Sequence, residues 1–399
     1  MDLQVAVAAA PVSDGGRVFV ALKSAHLTAR SAADGHELWR IAKSVNAPMA
    51  AGEGLLFVSG SDAIEAMRGA DGGSAWIVPR VTTVAPLVAK DGWVIAVTDA
   101  EILAIRATDG TVVWRHPAGG VRLPPDIDGD RLYAGADDGR VLALTLATGA
   151  DVWEYYVPGG VTTIAARAGR VYAGAGDKQF YCLDGRSGKM SWSRRVGAIP
   201  TGRIAVDEDR VYVAVLNNVV FAFDRSNGNQ RWTAAVRRRP LAGVVLAGHV
   251  IFVPVVAPEI GMLYDADGRP SGTIALPGES PRDFPPDIRE TAAGVNVFAI
   301  TGGLSNEWRL TFLAPVGETP LVPLDKLAEM PGVPFLTDPV LQPIGVLLGS
   351  LFLDDPPLRP FSTIDWPVVL QDPPLVPLTS FPGLQLRPLS PVLPIRRGA

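Results

Sequence analysis

Six tryptophans, Trp39, Trp76, Trp114, Trp153, Trp192 and Trp232, stand 37, 38, 39, 39 and 40 residues apart, each with a glycine four positions before it. A fixed period of this length is the mark of a repeat architecture, because one short unit cannot bury its apolar face alone and must stack on copies of itself. A unit of about 40 residues rich in short strands points to the blades of a β-propeller.

The chemistry around each tryptophan supports that reading. The glycines, Gly35, Gly72, Gly110, Gly149, Gly188 and Gly228, each follow Asp, Thr, Ser or Asn. Such pairs mark a tight reversal with positive φ between two strands. Ten residues before each tryptophan is a small residue, Ala29, Ala66, Ala104, Ala143, Cys182 or Ala222. A flat indole needs a recess, and a small side chain on a neighbouring strand leaves one. Cys182, the single cysteine, therefore reads as a stand-in for alanine, a small buried hydrophobe, ahead of a reactive thiol.

Alternating apolar runs repeat in a second register, at Arg17, Leu55, Trp93, Arg131, Arg170, Arg210, His249 and Val295. These predict eight equivalent strands. The seventh unit keeps the turn Asp267-Gly268 but has Gly272 in place of tryptophan, and the eighth, ending near Trp308, diverges further. Eight blades are expected, with seven as the alternative. Leu3 to Val7 are expected to supply the outer strand of the last blade and so close the ring, which would remove an exposed sheet edge.

The stretch Leu103-Ala104-Ile105-Arg106-Ala107-Thr108-Asp109-Gly110-Thr111-Val112-Val113-Trp114 resembles the repeat of the PQQ-like β-propellers. That superfamily includes quinoprotein dehydrogenases and the propeller lipoprotein of the outer-membrane protein assembly machine. The resemblance spans roughly residues 3–315 and implies the fold. It leaves function open, since the repeat motif is a packing device shared by enzymes and scaffolds. By resemblance the cell envelope is the implied compartment, although the start, MDLQVAVAAAP, lacks the basic region of a signal peptide and no early cysteine offers a lipid anchor; the cytoplasm is the alternative.

The chain is thus read as a propeller over residues 1–315 followed by an apolar, proline-rich extension over 316–399. Seventeen prolines between 320 and 399 favour extended or polyproline-like backbone. Because that extension carries few charges, unlike a typical disordered tail, it is expected to dock, on the propeller or on a partner. A net charge of −5 argues against nucleic acid as a global partner. No apolar run reaches the roughly 20 residues of a membrane-spanning helix.

Catalytic signatures are sparse. The four histidines, His26, His36, His116 and His249, lack metal-ligand spacing. Asp126-x-Asp128-x-Asp130 starts like a calcium loop, but Arg131 stands where the loop glycine belongs, so a turn is the favoured reading. Alcohol-oxidising quinoproteins often carry vicinal cysteines and a calcium set, and a single cysteine on compact repeats does not supply them. The chain therefore reads as a non-enzymatic propeller without cofactor, a monomer that binds a protein partner. A quinone-binding or sugar-binding enzyme or sensor, or an accessory domain of a larger protein, are the alternatives.

Loops joining one unit's outer strand to the next unit's inner strand should share a rim. Arg237, Arg238 and Arg239 occupy one such loop, and Arg122 and Arg282 equivalent ones. In an acidic protein this cluster suits an acidic segment of a partner, with a solvated loop paired to nearby Asp as the alternative of about equal weight. Arg194 and Arg195, after Trp192, are expected to face solvent. The six tryptophans are expected to be structural docking residues.

Overall fold

The computed structural model describes residues 3, 5–14, 16–45, 47–256, 259–276, 286–291, 294–301 and 309–313. The chain divides into two units, Met1–Thr319 and Pro320–Ala399, and the fold described is that of the first. The proline-rich extension lies outside the described residues.

The first unit is a β-propeller of eight antiparallel sheets, seven with four strands and the last with three among the described residues. Each sheet is a meander. Blade 4, for example, runs Asp126–Asp128, Arg131–Gly135, Arg140–Thr145 and Asp151–Tyr156 in that spatial order. The innermost strands of the eight blades are Val12–Ser13, Ala50–Gly52, Val88–Lys90, Asp126–Asp128, Val161–Arg167, Pro200–Val206, Val245–Ala247 and Asp287–Thr291. The second strand of each blade is the alternating run read from the sequence. In blade 5 it is Arg170–Ala175, whose Val171 to Ala175 are all buried. The core is accordingly distributed as apolar layers between neighbouring blades, such as the layer of Ile95, Ile102 and Trp114 from blade 3 with Ile127, Leu132 and Leu142 from blade 4.

The tryptophans show how one blade joins the next. Each lies on an outer strand directly opposite the small residue of the third strand: Ala29 faces Trp39, Ala104 faces Trp114, and Cys182 faces Trp192. The ladder bulges at that point in every one of these blades and turns the indole toward the following blade. There the ring NH donates to a backbone carbonyl: Trp39 to Gly69, Trp76 to Ala107, Trp114 to Leu146, Trp153 to Gly185, Trp192 to Arg225 and Trp232 to Asp265, at 2.7–3.0 Å.

The indole's six-membered ring rests on the glycine of that same turn. A Cβ at Gly149 would stand 2.6 Å from Cδ2 of Trp114, and equivalent contacts recur at Gly72, Gly110, Gly188, Gly228 and Gly268. Each of these six glycines thus serves two needs, a φ near +70° and room for the previous blade's tryptophan. In blade 7, Gly272 faces Met262 in the register that elsewhere holds tryptophan opposite alanine. Met262 packs instead with Phe252, Ile288 and Val297 in the layer between blades 7 and 8.

The ends meet differently from the sequence expectation. Leu3 to Val7 do not pair with the last outer strand, Arg309–Leu313, among the described residues. Val7 bridges Leu22 of blade 1, as Val121 bridges Ala136 and Pro240 bridges Val255, so the segment occupies the slot of an interblade linker. Closure comes from packing: Leu3, Val7, Val18, Val20 and Leu22 surround Phe298 of blade 8, and buried Ser13 donates to Asp287 at 2.5 Å. Short alternating segments bury one face in either slot, so the apolar pattern alone did not separate linker from outer strand.

Candidate functional site

Because the strands of a blade alternate in direction, the interblade linkers and the hairpins between second and third strands emerge on one rim. Arg237, Arg238 and Arg239 lie on the linker between blades 6 and 7, all exposed. Its backbone is tied down, with Val256 N donating to Arg239 O at 2.9 Å and Leu241 N to Pro254 O at 2.7 Å. Arg238 stands 3.8 Å from the Glu259 carboxylate. Arg237 and Arg239 have no side-chain ion pair among the described residues.

Arg122 is on the same rim, on the linker between blades 3 and 4, three blade joints away from the arginine run. It pairs with Asp99 and stands 3.9 Å from Asp137. Its charge is balanced locally, and no contact brings it to Arg237–Arg239. Arg282 lies outside the described residues. Arg194, expected on a solvent face, donates to Asn227 O at 2.8 Å on the next blade's turn, while Arg195 is exposed.

The Asp126-x-Asp128 motif is an inner strand whose carboxylates bind backbone. Asp126 accepts from Ala166 N at 2.8 Å and Asp128 from Gly169 N at 2.7 Å, both in blade 5. Lys90 of blade 3 donates to Ile127 O and stands 3.5 Å from Asp126. These polar groups stitch blades 3, 4 and 5 around the axis, satisfying amides that a free inner edge would leave open. No group of three or more His, Cys, Asp or Glu among the described residues is placed to hold a metal ion.

Inside the blades the titratable groups are structural. Burial pushes the Tyr133 and Tyr172 hydroxyls up to about 12, which keeps them protonated. Tyr133 donates to Gly185 O at 3.1 Å, the carbonyl that also receives Trp153, and Tyr172 accepts from Arg225 Nε at 3.0 Å. Cys182 is fully buried and its thiol is pushed up by burial, the setting of an inert thiol.

The inner strands line a cleft of about 420 Å³ at the propeller axis. Lys90, Asp126, Arg167, Arg203 and Glu290 contribute charge to it from blades 3, 4, 5, 6 and 8. Of these, sequence reasoning singled out only Asp126, and read it as part of a turn. Their signal was positional, since each falls on the first strand of a repeat, where the chain borders the axis.

The family model described as outer membrane protein assembly factor BamB matches residues 1–120, 82–164 and 157–269. The chain belongs to this PQQ-like propeller family. No curated protein matches the chain. Among solved structures, BamB from Moraxella catarrhalis is similar at 17% identity and a TM-score of 0.59, covering 78% of this chain and 97% of that one. The quinohemoprotein alcohol dehydrogenase ADHIIG from Pseudomonas putida HK5 is similar at 13% identity and a TM-score of 0.60, covering 76% and 71%. The computationally designed Ika8 protein reaches 0.64 at 13% identity, covering 78% and 98%. At these identities the likeness is one of fold. No helix among the described residues is long and apolar enough to cross a membrane.

Proposed function

We propose that this propeller is a non-enzymatic scaffold that binds a partner protein through its linker rim, in assembly work at the cell envelope like that named for BamB. The observation that carries the reading is the exposed run Arg237–Arg239 on a backbone-anchored linker, with two guanidiniums left without an ion pair among the described residues. In a chain of net charge −5, such a run attracts an acidic segment of a partner and steers it to one face. The polar side chains Asp126, Asp128 and Lys90 are engaged in joining blades, which fits a scaffold.

Site-specific photo-cross-linking in the native host tests this. A photoreactive residue at Arg238 should give one discrete adduct, lost in Arg237→Ala/Arg239→Ala and weakened by salt because exposed charges are screened beyond about 8 Å. The same probe at Asp71, on a turn of the opposite rim, should not give that adduct. Equal adducts from both rims, or none from Arg238, would remove the rim from consideration.

A further inference from the structure

The axial cleft carries a feature independent of the rim. Of its three cationic side chains, Lys90 is engaged by Ile127 O and Asp126. Arg167 and Arg203 make no side-chain hydrogen bond or ion pair among the described residues, yet both border the same cleft.

Their backbones are held firmly. Arg203 N donates to Ala242 O at 2.8 Å and Arg203 O accepts from Val244 N at 3.0 Å, forming a parallel bridge with Gly243. That bridge requires Gly202 and Gly243, at φ +71° and +82°, to meet backbone to backbone; a Cβ on either would stand 2.1 Å from the other strand's amide nitrogen. Arg167 O accepts from Arg225 at 3.1 Å, and that same guanidinium binds Tyr172. Two unengaged guanidiniums therefore project from braced strands of adjacent blades.

The charge balance narrows the ligand. Asp126 is satisfied by Ala166 N, Ile127 N and nearby Lys90. The groups left over are Arg167 and Arg203, both positive, and Glu290, negative and without an ion pair among the described residues. One surplus positive charge suits a monoanion, and the planar fork of N–H donors on a guanidinium matches a carboxylate. Inner strands are also sheet edges, and their backbone groups, apart from those engaged like Ala166 N, Ile127 O and Arg203 N, are partners for hydroxyl groups. We infer that the axial cleft binds a small polyhydroxylated monocarboxylate, its carboxylate held between Arg167 and Arg203 and its hydroxyls on the open inner-strand edges.

Isothermal titration of the full chain with D-gluconate tests this against two probes of the same carbon count: sorbitol, which lacks the carboxylate, and galactarate, which has two. Gluconate should bind saturably, sorbitol should not, and galactarate should bind at least several-fold more weakly because its second carboxylate meets Glu290. Arg167→Gln and Arg203→Gln should each weaken gluconate at least tenfold with the melting temperature kept. Glu290→Gln should strengthen galactarate most. Arg237→Ala/Arg238→Ala/Arg239→Ala should leave gluconate affinity unchanged, which separates this site from the rim. Absence of gluconate binding, equal binding of sorbitol, retention of affinity in both arginine variants, or weaker galactarate binding in Glu290→Gln would each overturn the inference.

Discussion

The double duty of the repeat glycines can be separated by comparing Gly149→Ala with Gly129→Ala. Both glycines have positive φ, +69° and +62°, so alanine at either carries the left-handed penalty of about 1–2 kcal/mol. Around Gly129 nothing lies within 4 Å of an added Cβ, whereas at Gly149 that Cβ would be 2.6 Å from Cδ2 and 2.7 Å from Cε3 of Trp114. Ordinary contact needs roughly a further 1 Å, and the indole cannot yield it without straining its 2.7 Å bond to Leu146 O. Forcing extra volume into a packed site costs about 1–3 kcal/mol. Gly129→Ala should therefore lose about 1–2 kcal/mol in urea unfolding and Gly149→Ala about 2–5 kcal/mol.

A double-mutant cycle identifies the cause. Trp114→Ala alone should lose about 3–5 kcal/mol. Once the indole is gone, the overlap disappears and Gly149→Ala should cost no more than Gly129→Ala. The coupling expected is about 1–3 kcal/mol. Equal losses at Gly129 and Gly149, or strict additivity of Trp114→Ala with Gly149→Ala, would refute the interblade reading of this glycine.

Two further outcomes are expected. Ser13→Ala removes the buried donor to Asp287 at the seam between blades 1 and 8 and should lose about 1–3 kcal/mol. Hydrogen exchange should quicken in those two blades, and an even increase around the ring would contradict the seam. Asp224 is held down to about 2 by hydrogen bonds from Ser226 and by Arg231, against roughly 3.9 when unfolded. With the folded value depressed, its stabilisation is present above the unfolded value and is lost as pH falls from about 4 toward 2. Urea midpoints measured over that range should fall less steeply in Asp224→Asn, and an unchanged slope would exclude Asp224 as a contributor.

Much of the fold was legible in the sequence because its determinants are local. The Ala104 and Trp114 pairing lies within one blade, and a turn fixes its register, so a count of residues places it. What the tryptophan touches in the next blade was not legible. The Trp114 bond to Leu146 crosses 32 residues to a carbonyl, and every residue type offers a carbonyl. The same limit applies at the ends, where the Ser13 to Asp287 contact spans 274 residues and only the closed ring brings them together. Arg167 ends its strand and Arg203 sits mid-strand, places where an arginine usually faces solvent, so neither carried a signal until the inner strands were placed around one axis. Arg122 shows the reverse: equivalent loop positions grouped it with Arg237–Arg239, but Asp99 and Asp137 beside it decide its electrostatics.

The six indole acceptors belong to Gly69, Ala107, Leu146, Gly185, Arg225 and Asp265, residues with nothing in common but a main chain. For the indole to dock, a blade therefore demands from its successor only a turn of the right curvature and a glycine at one place, not a complementary side chain. Junctions built this way are generic, like identical couplings on dissimilar carriages. A duplicated or substituted blade would find that docking point already in place, and the side chains of the turn could drift without a compensating change in the indole, while the apolar layer between blades still has to pack. The fold itself is shared at 17% identity with one natural propeller and 13% with a designed one.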